Sequence, residues 1–369
     1  IAIVTRSFPP KIGGIASAHY NLFKLLARDH EVRAFAFDDD DPTPCADVVR
    51  RKAAPVLSNT LGWLAARYVR RYDRTYPSVY FRSVAEVLPA AWALNRPLRR
   101  FGPDIVMVPD NYVPGLGLRI PPGASLIWMS RNNYRRFDNQ PLVHERSWMD
   151  IHMAHRMELR ALRRADYVIC PSEYMARVFA ETYRIDKPVE VIYNFVEGST
   201  LGGVRPEDLR GKLGVNPDYR LIYLPSAGGA VKGKRYVFEI IRRLSAVAKV
   251  GFYISGPVAP DLARELESLQ DTIPVYVPGH LPYAENLRYV AACDFAISPT
   301  LIENLSNAIV EGLMLGVPFV TFDTGGNKEI VRSEVNGFVV PYLDVEALIA
   351  RSRMLIEDDN LLRHLRANS

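Results

Sequence analysis

Two carboxylates eight residues apart, Glu303 and Glu311, have the clearest chemical potential in this chain. On one continuous helix that spacing would leave their side chains about 80° apart around the axis. We therefore place Glu303 in a loop and Glu311 within the helix that follows. Asn304, Ser306 and Asn307 lie between them and are good N-cap candidates. Free amides at such a helix start favour an anion such as a diphosphate, and carboxylates accept hydrogen bonds from sugar hydroxyls. The pattern predicts a site for a phosphorylated, polyhydroxylated ligand.

The elements that position these carboxylates alternate between short apolar runs and amphipathic helical patterns. In the first half, predicted strands lie at residues 1–4, 32–37, 105–108, 126–129 and 167–170, and predicted helices at 15–26 and 143–164. In the second half, predicted strands lie at 221–224, 250–255, 275–277, 295–298 and 319–322, and predicted helices at 236–248, 260–271, 283–292 and 305–315. Such alternation predicts parallel sheets covered by helices on both faces. Ligands of such sheets bind at the carboxyl ends of the strands.

The length of 369 residues exceeds what one ordinary hydrophobic core supports, so we expect two domains. A stretch with five glycines and one proline, residues 198–214, interrupts the alternation and is typical of a linker. We predict an α/β fold with a Rossmann-like domain at 1–197, a linker at 198–214, and a second Rossmann-like domain at 215–345. A C-terminal helical segment at 346–369 completes the prediction.

The stretch 303–329 resembles the C-terminal motif of the retaining nucleotide-sugar glycosyltransferases of family 4, which have the GT-B architecture. Further matches follow in the family's order: the glycine pair at 13–14, the strand and turn at 165–173, the linker entry at 191–197, and a lysine and glycine at 232–233. The resemblance implies two doubly wound parallel-sheet domains facing a cleft. The acceptor would lie on the first domain and a UDP- or GDP-linked sugar on the second.

The resemblance also implies roles for individual residues. Glu311 would accept hydrogen bonds from the ribose, Glu303 would contact the donor sugar, and Lys232 would pair with the diphosphate. Glu303 and Lys232 are therefore the catalytic candidates. The remaining donor-binding candidates are Gly13, Gly14, Ser226, His280, Leu281, Asn304, Leu305, Ser306, Gly325 and Gly326.

Two departures from the family pattern affect the predicted site. The family commonly has an arginine about six residues before the phosphate-binding lysine, but residues 226–231 contain no cation, and Lys234 or Arg235 could take its place. Many members also have a histidine after an N-terminal strand, where this chain has Ser130 followed by Arg131, Asn132 and Asn133. These last three residues, together with Asn327, are our candidates for sugar or acceptor contacts.

We predict no metal site and no cofactor. Four aspartates at 38–41 follow a strand, as in the metal-binding acidic motif of the other large glycosyltransferase fold. Four adjacent carboxylates suit an exposed loop better than an organised Mg²⁺ site. Cys45, Cys170 and Cys293 are widely separated and lack metal-ligand spacing, so we expect reduced, mostly buried cysteines in a cytosolic protein.

Charge is distributed unevenly along the chain. Residues 1–197 have 28 Lys and Arg against 21 Asp and Glu, whereas residues 198–369 have 18 against 20. Within 51–102, ten basic residues are interleaved with aromatic ones. Such a surface can lie on anionic lipid headgroups or can be an ordinary solvated helical face. No nucleic-acid recognition motif accompanies the charge. No signal peptide or apolar membrane-spanning run is visible, so we expect a cytoplasmic protein. The basic, aromatic surface leaves two alternatives open, attachment to the inner face of the membrane and a location away from it.

Residues 303–307 resemble those of family members that build bacterial surface polysaccharides on lipid-linked precursors. The resemblance therefore implies a retaining, metal-independent glycosyltransferase acting on a lipid-linked or glycan acceptor in cell-surface polysaccharide synthesis. Two alternatives stay open: a non-catalytic nucleotide-sugar-binding protein of this fold, and a nucleotide-sugar epimerase. Release of nucleoside diphosphate only with an acceptor would support transfer, whereas saturable binding without turnover would support the binding protein.

Overall fold

The computed structural model describes residues 1–9, 14–41, 45–137, 146–196, 198–225, 228–269 and 272–369. The chain divides into two compact units, Ile1–Asn194 and Phe195–Ser369. Of the helices formed by the described residues, none combines the length and the apolar composition that crossing a membrane needs.

The first unit is a parallel sheet of seven strands within the described residues, with helices on both faces. Its elements are β1 (Ala2–Thr5), α1 (Gly14–Leu26), β2 (Arg33–Ala36), β3 (Val48–Arg50), α2 (Pro55–Tyr72), α3 (Tyr80–Phe101), β4 (Ile105–Pro109), β5 (Ser125–Met129), α4 (Trp148–Leu162), β6 (Tyr167–Cys170), α5 (Glu173–Tyr183) and β7 (Val189–Val191). Short 3₁₀ turns lie at Pro114–Leu116 and Tyr134–Phe137. The strand order is β3-β2-β1-β4-β5-β6-β7.

Alternate residues of these strands enter different cores, as a pleated strand requires. On β1, Ala2 and Val4 join the core that α3, α4 and α5 cover, whereas Ile3 joins the core that α1 covers. On β4, Val106 likewise faces the first core and Met107 the second. Since both faces are covered, the strands are almost continuously apolar. This pattern is what made them visible in the sequence.

The second unit repeats the plan with a six-stranded parallel sheet among its described residues. Its elements are α6 (Gly198–Leu201), α7 (Leu209–Leu213), β8 (Arg220–Leu224), α8 (Lys234–Ser245), β9 (Val250–Ile254), α9 (Pro260–Glu267), β10 (Val275–Tyr276), α10 (Tyr283–Ala291), β11 (Phe295–Ser298), α11 (Asn307–Met314), β12 (Phe319–Phe322), α12 (Asn327–Ile330), β13 (Gly337–Val340), α13 (Val345–Glu357) and α14 (Asp359–Ala367). The strand order is β10-β9-β8-β11-β12-β13, and a 3₁₀ turn at Ala230–Lys232 follows β8.

Several elements differ from the sequence predictions. The helix expected over 143–164 begins at Trp148, because the Ser147 hydroxyl accepts a hydrogen bond from the Asp150 amide and caps it; residues 143–145 lie outside the described part of the chain. The segment 198–214, predicted as a linker, contains α6 and α7. Leu201 and Leu209 are buried there, and apolar burial of this kind stabilises short helices that propensity alone does not.

Candidate active site

The candidate site lies at the carboxyl ends of β8, β11 and β12 in the second unit. Strands β9 and β10 lie on one side of β8, and β11, β12 and β13 lie on the other. The direction in which the chain adds strands therefore reverses between β8 and β11, which is the topological switch point. Open parallel sheets bind ligands outside the strand ends at such a point. Lys232 follows β8, Glu303 follows β11, and Gly325 follows β12. The topology therefore places the main predicted residues at one edge of the sheet.

Lys232 and Glu303 form an ion pair in which the lysine Nζ donates to Glu303 Oε2 at 2.5 Å. The Glu303 side chain is 11% exposed and that of Lys232 is 32% exposed, so solvent and ligands can reach the ammonium. The other carboxylate oxygen accepts from the Asn304 amide at 3.0 Å. The pair brings a cation suited to a diphosphate beside a carboxylate suited to a sugar hydroxyl.

The backbone around this pair is tied together across two loops. The Val231 carbonyl accepts hydrogen bonds from the Leu301 amide at 2.9 Å and from the Ile302 amide at 3.3 Å. Gly233 has φ of +81°, and a Cβ there would overlap the Pro299 carbonyl. Only glycine therefore fits this close approach. The turn that carries the catalytic lysine candidate is fixed against the loop that carries its partner.

Gly325 and Gly326 hold the Glu303 loop from the other side. Gly325 has φ of +60°, and a Cβ at this position would overlap the Glu303 carbonyl oxygen. The Gly326 amide donates to the Asn304 carbonyl at 2.6 Å. Any side chain at position 325 would push the loop away from the turn. The glycine pair thus has a structural reason in addition to its predicted role beside the ligand.

Glu311 lies within α11, as the eight-residue spacing predicts, and Glu303 precedes the helix. Ser306 is the N-cap, and its hydroxyl accepts from the Ile309 amide. Glu311 Oε1 accepts a hydrogen bond from the Tyr283 hydroxyl at 3.0 Å. Burial raises the pKa of Glu311 to about 7, and the hydrogen bond from Tyr283 opposes that shift. This carboxyl therefore changes protonation near neutral pH, and its charged form can accept hydrogen bonds from vicinal hydroxyls.

Between the carboxyl ends of β8 and β9 there is a surface cavity of about 400 Å³ lined by Gly228, Gly229 and residues 257–259. A Cβ at Gly228 would overlap the Pro257 carbonyl, so glycine permits the close approach of the two loops.

Ser226, another donor-binding candidate, lies outside the described residues. His280 is exposed after β10, whereas Leu281 is half-buried against the core.

The cations considered as replacements for the missing arginine both have other contacts. Lys234 Nζ donates to Asp261 Oδ2 at 2.5 Å, in the first turn of α9. The Arg235 guanidinium lies over the Tyr236 ring, 5.5 Å from its centroid. A diphosphate would have to displace these contacts to recruit either side chain, while Lys232 already lies at the switch point.

Two predicted contacts are buried. Leu305 is 3% exposed, so its backbone alone can meet a ligand. Asn327 is fully buried, and its Nδ2 donates to Thr321 Oγ1 at 3.1 Å. In this arrangement the Asn327 side chain joins α12 to β12, a structural role that a surface turn residue would not have.

In the first unit, the predicted contacts after β5 surround a buried carboxylate. Asp110, which follows β4, accepts hydrogen bonds from the Asn132 amide at 2.6 Å and the Asn133 amide at 3.1 Å. Arg131 Nη1 donates to Asn194 Oδ1 at 2.5 Å, and burial lowers the pKa of this guanidinium to about 10. Gly13 lies outside the described residues, and Gly14 is the first residue of α1.

Sequence reasoning missed three buried ionisable groups of this unit. His19 on α1 shares a hydrogen bond with Thr5 Oγ1 at 3.0 Å, and burial, reinforced by the charge of Arg131, lowers the pKa of its imidazole to about 3. Burial raises the pKa of Asp110 and of Glu158, and the charge of Asp110 adds to the rise at Glu158. The position of Asp110 two residues after a predicted strand was the one available signal.

The acidic loop 38–41 differs in part from the expected exposed loop. Asp38 pairs with Arg6 at 2.9 Å and Asp40 with Lys52 at 2.7 Å. Asp39 is buried and pairs with Arg50, because a buried carboxylate requires a partner. Within the described part of the chain, no group of three His, Cys, Asp or Glu residues could hold a metal ion.

The cysteines agree with the expectation of free, mostly buried thiols. Cys170 and Cys293 are buried and free, and Cys45 is free and exposed. Cys45 lies in the connection between β2 and β3, where an apolar side chain has no core to enter.

Solved structures with the same architecture define the class of fold. A sucrose-phosphate synthase from Thermosynechococcus elongatus matches 100% of this chain and 92% of its own, with a TM-score of 0.73 and 16% identity. Anabaena Alr3699/HepE, solved with UDP-glucose, matches over the same shares with a TM-score of 0.69 and 16% identity. At such identities the likeness concerns the fold, which is GT-B with two Rossmann-like parallel-sheet domains.

Two family profiles match the sequence. The profile of glycosyltransferase family 4 matches residues 12–199, half of the chain, and the profile of glycosyl transferases group 1 matches residues 219–358. The chain belongs to glycosyltransferase family 4. The putative teichuronic acid biosynthesis glycosyltransferase TuaC of Bacillus subtilis (strain 168) is 25% identical over 135 residues. That match covers 37% of this chain and 33% of the relative, so the similarity spans about a third of the relative's length.

Proposed function

We propose that this protein is a retaining, metal-independent glycosyltransferase that moves a sugar from a nucleoside-diphosphate sugar to an acceptor hydroxyl. The observation that carries the proposal is the Lys232–Glu303 pair at the switch point of the second sheet, with Glu311 on the adjoining helix. A cation for the diphosphate and two carboxylates for hydroxyls are what a nucleotide-sugar requires.

Each group has a defined part in donor binding. Lys232 would exchange part of its contact with Glu303 for the diphosphate oxygens, and the first amides of α11 add donors for the same charge. Glu311 would accept from the ribose hydroxyls in place of, or beside, the Tyr283 hydroxyl. Glu303, released by Lys232, would accept from a hydroxyl of the donor sugar.

The chemical step requires no protein base in this proposal. The acceptor oxygen forms a bond to the anomeric carbon on the face from which the diphosphate departs. The bond from that carbon to the diphosphate oxygen breaks with its electron pair on the oxygen, and a diphosphate oxygen takes the acceptor proton. Protein catalysis then consists of orientation and of stabilising the developing diphosphate charge through Lys232 and backbone amides.

For the acceptor we propose a lipid-linked precursor or a glycan of surface-polysaccharide synthesis, used at the cytoplasmic face of a membrane. The name of the TuaC relative supports that class. A second support is α2, whose exposed face has both apolar side chains and arginines. Anionic lipid and a basic, apolar helix face are complementary.

The decisive experiment measures nucleoside diphosphate release from a panel of UDP- and GDP-sugars, with and without a lipid extract as acceptor. We expect release that depends on the acceptor, that survives excess chelator, and that yields a product with the anomeric configuration of the donor by NMR. A strict Mg²⁺ or Mn²⁺ requirement for the chemical step would overturn metal independence. Saturable binding without release on any acceptor would favour the non-catalytic alternative.

A further inference from the structure

Two buried acids of the first unit hold three consecutive backbone amides. Asp110 Oδ2 accepts hydrogen bonds from the amides of Asn132 at 2.6 Å and Asn133 at 3.1 Å. Glu158 Oε1, on α4, accepts from the next amide, that of Tyr134, at 3.2 Å. Both acids are fully buried. Because the three amides follow one another along the chain, the two carboxyl groups lie in the same small region of the interior.

The segment 132–134 needs these bonds to keep its conformation. Asn133 has φ of +55°, in the left-handed region that residues other than glycine rarely adopt. Its Nδ2 donates to Thr182 Oγ1 on α5 at 3.1 Å, and the Tyr134 hydroxyl accepts from the Tyr112 amide at 3.1 Å. The segment is thus tied to the loop after β4, to α4 and to α5. Its backbone depends on groups outside it, and two of those groups can gain or lose a proton.

The two acids have little to compensate a second negative charge. Asp110 Oδ1 and Glu158 Oε2 have no hydrogen-bond partner among the described residues, and neither acid forms an ion pair there with a lysine or an arginine. His155 Nδ1 lies 3.7 Å from Glu158 Oε2, but burial lowers the pKa of this imidazole to about 4, so it is neutral at neutral pH. Because an uncompensated charge in the interior is costly, a pair of buried acids retains a proton instead.

The surroundings decide which acid carries this proton. Burial raises the pKa of Asp110, but the backbone amides of 131–133 oppose the shift. Burial raises the pKa of Glu158 well above its usual range, the charge of Asp110 adds to the rise, and the groups that favour the charged form offset only part of it. The charged and titratable groups that face the two acids or their partners from the described elements are Tyr112 after β4, Arg131, Tyr134, Arg135 and Arg136 after β5, His155 on α4, Cys170 at the end of β6 and Tyr183 on α5.

We propose that Asp110 and Glu158 form a one-proton pair, in which Glu158 carries the proton, and that loss of this proton releases the segment that they hold. At neutral pH the protonated Glu158 accepts from the Tyr134 amide through its carbonyl oxygen, while the ionised Asp110 holds the two preceding amides. In alkaline solution a second charge arises beside the first, and the segment opens because water then solvates Glu158. Asn132 and Asn133 are candidates for sugar or acceptor contacts, so this proton sets where they lie. This property of the first unit does not depend on sugar transfer.

The sign of the pH dependence follows from where Glu158 titrates in each state. In the opened segment the carboxyl group is hydrated and titrates near its ordinary pKa of 4.5, whereas in the closed segment burial keeps its pKa higher. Above the ordinary value, opening therefore releases a proton. The opening equilibrium constant should rise about tenfold for each pH unit until the closed form also loses its proton. The contribution of Glu158 to the stability of the segment thus falls as pH rises from the ordinary pKa towards the raised one.

Hydrogen exchange of residues 130–137, measured by mass spectrometry between pH 6 and 8, tests this dependence. The protection factor is the exchange rate of an unstructured peptide divided by the observed rate, and it should fall about tenfold per pH unit. Glu158→Gln cannot ionise and has nearly the shape of the protonated acid, so its protection factor should stay constant over this range. Glu181→Gln, which changes an exposed acid on α5, is the matched control and should behave as the unmodified protein does.

Infrared difference spectroscopy in heavy water detects the proton directly. The carbonyl band of a protonated carboxylic acid should appear at neutral pH in the spectrum of the unmodified protein minus that of Glu158→Gln. Glu311 is present in both proteins, so its own titration cancels. Asp110→Asn keeps an oxygen for the two amides but removes the neighbouring charge, so the acid band of Glu158 should disappear at a lower pH in this variant.

The proposal is overturned if the Glu158→Gln difference spectrum contains no acid band at neutral pH, since Glu158 is then ionised. It is also overturned if protection of residues 130–137 depends on pH in Glu158→Gln as it does in the unmodified protein. A Glu158→Gln chain that cannot fold at neutral pH would contradict it too, because a neutral side chain of the same shape should satisfy the Tyr134 amide. An acid band that disappears at the same pH with and without Asp110→Asn would mean that the two acids share no proton.

Discussion

The carboxyl ends of the two sheets hold their charged side chains in different ways. In the second unit, Lys232 and Glu303 form a partly exposed pair whose members can exchange partners with a ligand. In the first unit, Asp110 is fully buried and accepts hydrogen bonds from two consecutive backbone amides. Both sheets are doubly wound and parallel, so the difference arises from the loops.

The charged groups of the Lys232–Glu303 pair are accessible to a ligand, whereas the Asp110 carboxylate holds a loop in place. A partly exposed ion pair contributes little to stability because water competes for both partners. A buried carboxylate that satisfies backbone amides is costly to remove, because its donors would be left unpaired in the protein interior. The second unit should therefore respond to mutation in turnover, and the first unit in stability.

The largest effect is expected at the exposed pair. Lys232→Ala and Glu303→Ala should each lower kcat by about 10²–10³, since each removes a group that acts on developing or reacting charge. Because the two side chains contact each other, the double variant should lose less than the sum of the two single losses. Steady-state kinetics measures all three variants, and Lys249→Ala, an exposed lysine of the same unit, is the control. Full activity in both single variants would contradict the assignment of Lys232 and Glu303 to the active site.

The buried carboxylate should show the opposite response. Asp110→Ala should lower the free energy of unfolding by about 2 kcal/mol, because the Asn132 and Asn133 amides lose their acceptor. Urea denaturation measures the loss, and nucleotide affinity in the second unit should stay unchanged. The exposed Asp218→Ala is the matched control. If Asp110→Ala is as stable as the protein itself, the buried carboxylate does not fix this loop.

Sequence patterns predicted the parts of the molecule that depend on local periodicity. Strands such as β11 and β12 were placed at their observed residues, because strands buried on both faces are continuous apolar runs. The positions of Glu303 and Glu311 relative to α11 followed from helical geometry and from the N-cap candidates between them. Strands β3, β7 and β13 were not predicted. β3 and β7 have three residues each and include a charged one, so neither forms an apolar run, and β13 begins with a glycine.

The contacts that depend on long-range packing could not be predicted. His19 and Glu158 are far apart in sequence from the groups that set their pKa, and burial of a charged side chain has no local pattern. A cavity at the carboxyl ends of β1, β2 and β4 likewise needs residues 6, 38, 82 and 112 to converge. The charges of that region were visible in the sequence, but their pairing was not.

A smaller effect is expected at Glu311, and its sign with pH is defined. Burial raises the pKa of this carboxyl to about 7, and in the proposed site the ribose hydroxyls donate to its charged form. As pH rises towards 7, nucleotide affinity should therefore increase about tenfold per pH unit. Above pH 7 it should become constant. Glu311→Gln should remove this dependence and weaken binding at pH 8 by about 1–3 kcal/mol. Calorimetry between pH 6 and 8 measures both effects.

Tyr283 sharpens the same prediction. Its hydrogen bond lowers the pKa of Glu311, so Tyr283→Phe should move the pH dependence to higher pH. In the free protein the sign is reversed: the folded chain holds this proton more tightly than the unfolded chain, so the contribution of Glu311 to stability falls as pH rises from its ordinary pKa towards 7. Glu265→Gln, an exposed carboxylate on α9, should reproduce neither effect. A pH-independent affinity in the protein itself would contradict the assigned role.

The smallest effect per residue concerns the outer face of α2. Trp63 is 58% exposed there, and the Arg67 guanidinium lies 5.4 Å from its ring centroid. Exposed arginines at 70, 71 and 74 continue the basic character towards the end of the helix. Each basic residue near an anionic surface contributes up to about 1 kcal/mol and is screened within a Debye length. Vesicle sedimentation should show binding that rises with anionic lipid and falls with salt.

Charge reversal then tests whether the first unit is the attached one. Changing Arg70, Arg71 and Arg74 to glutamate should weaken vesicle binding without altering nucleotide affinity. The same change at three exposed arginines of the second unit (residues 242, 353 and 363) should have a much smaller effect, although the change in net charge is identical. Equal losses in the two triple variants would mean that net charge, and not this helix face, governs attachment. If the protein ignores anionic vesicles even at low salt, α2 is an ordinary solvated helix and a soluble acceptor becomes the better hypothesis.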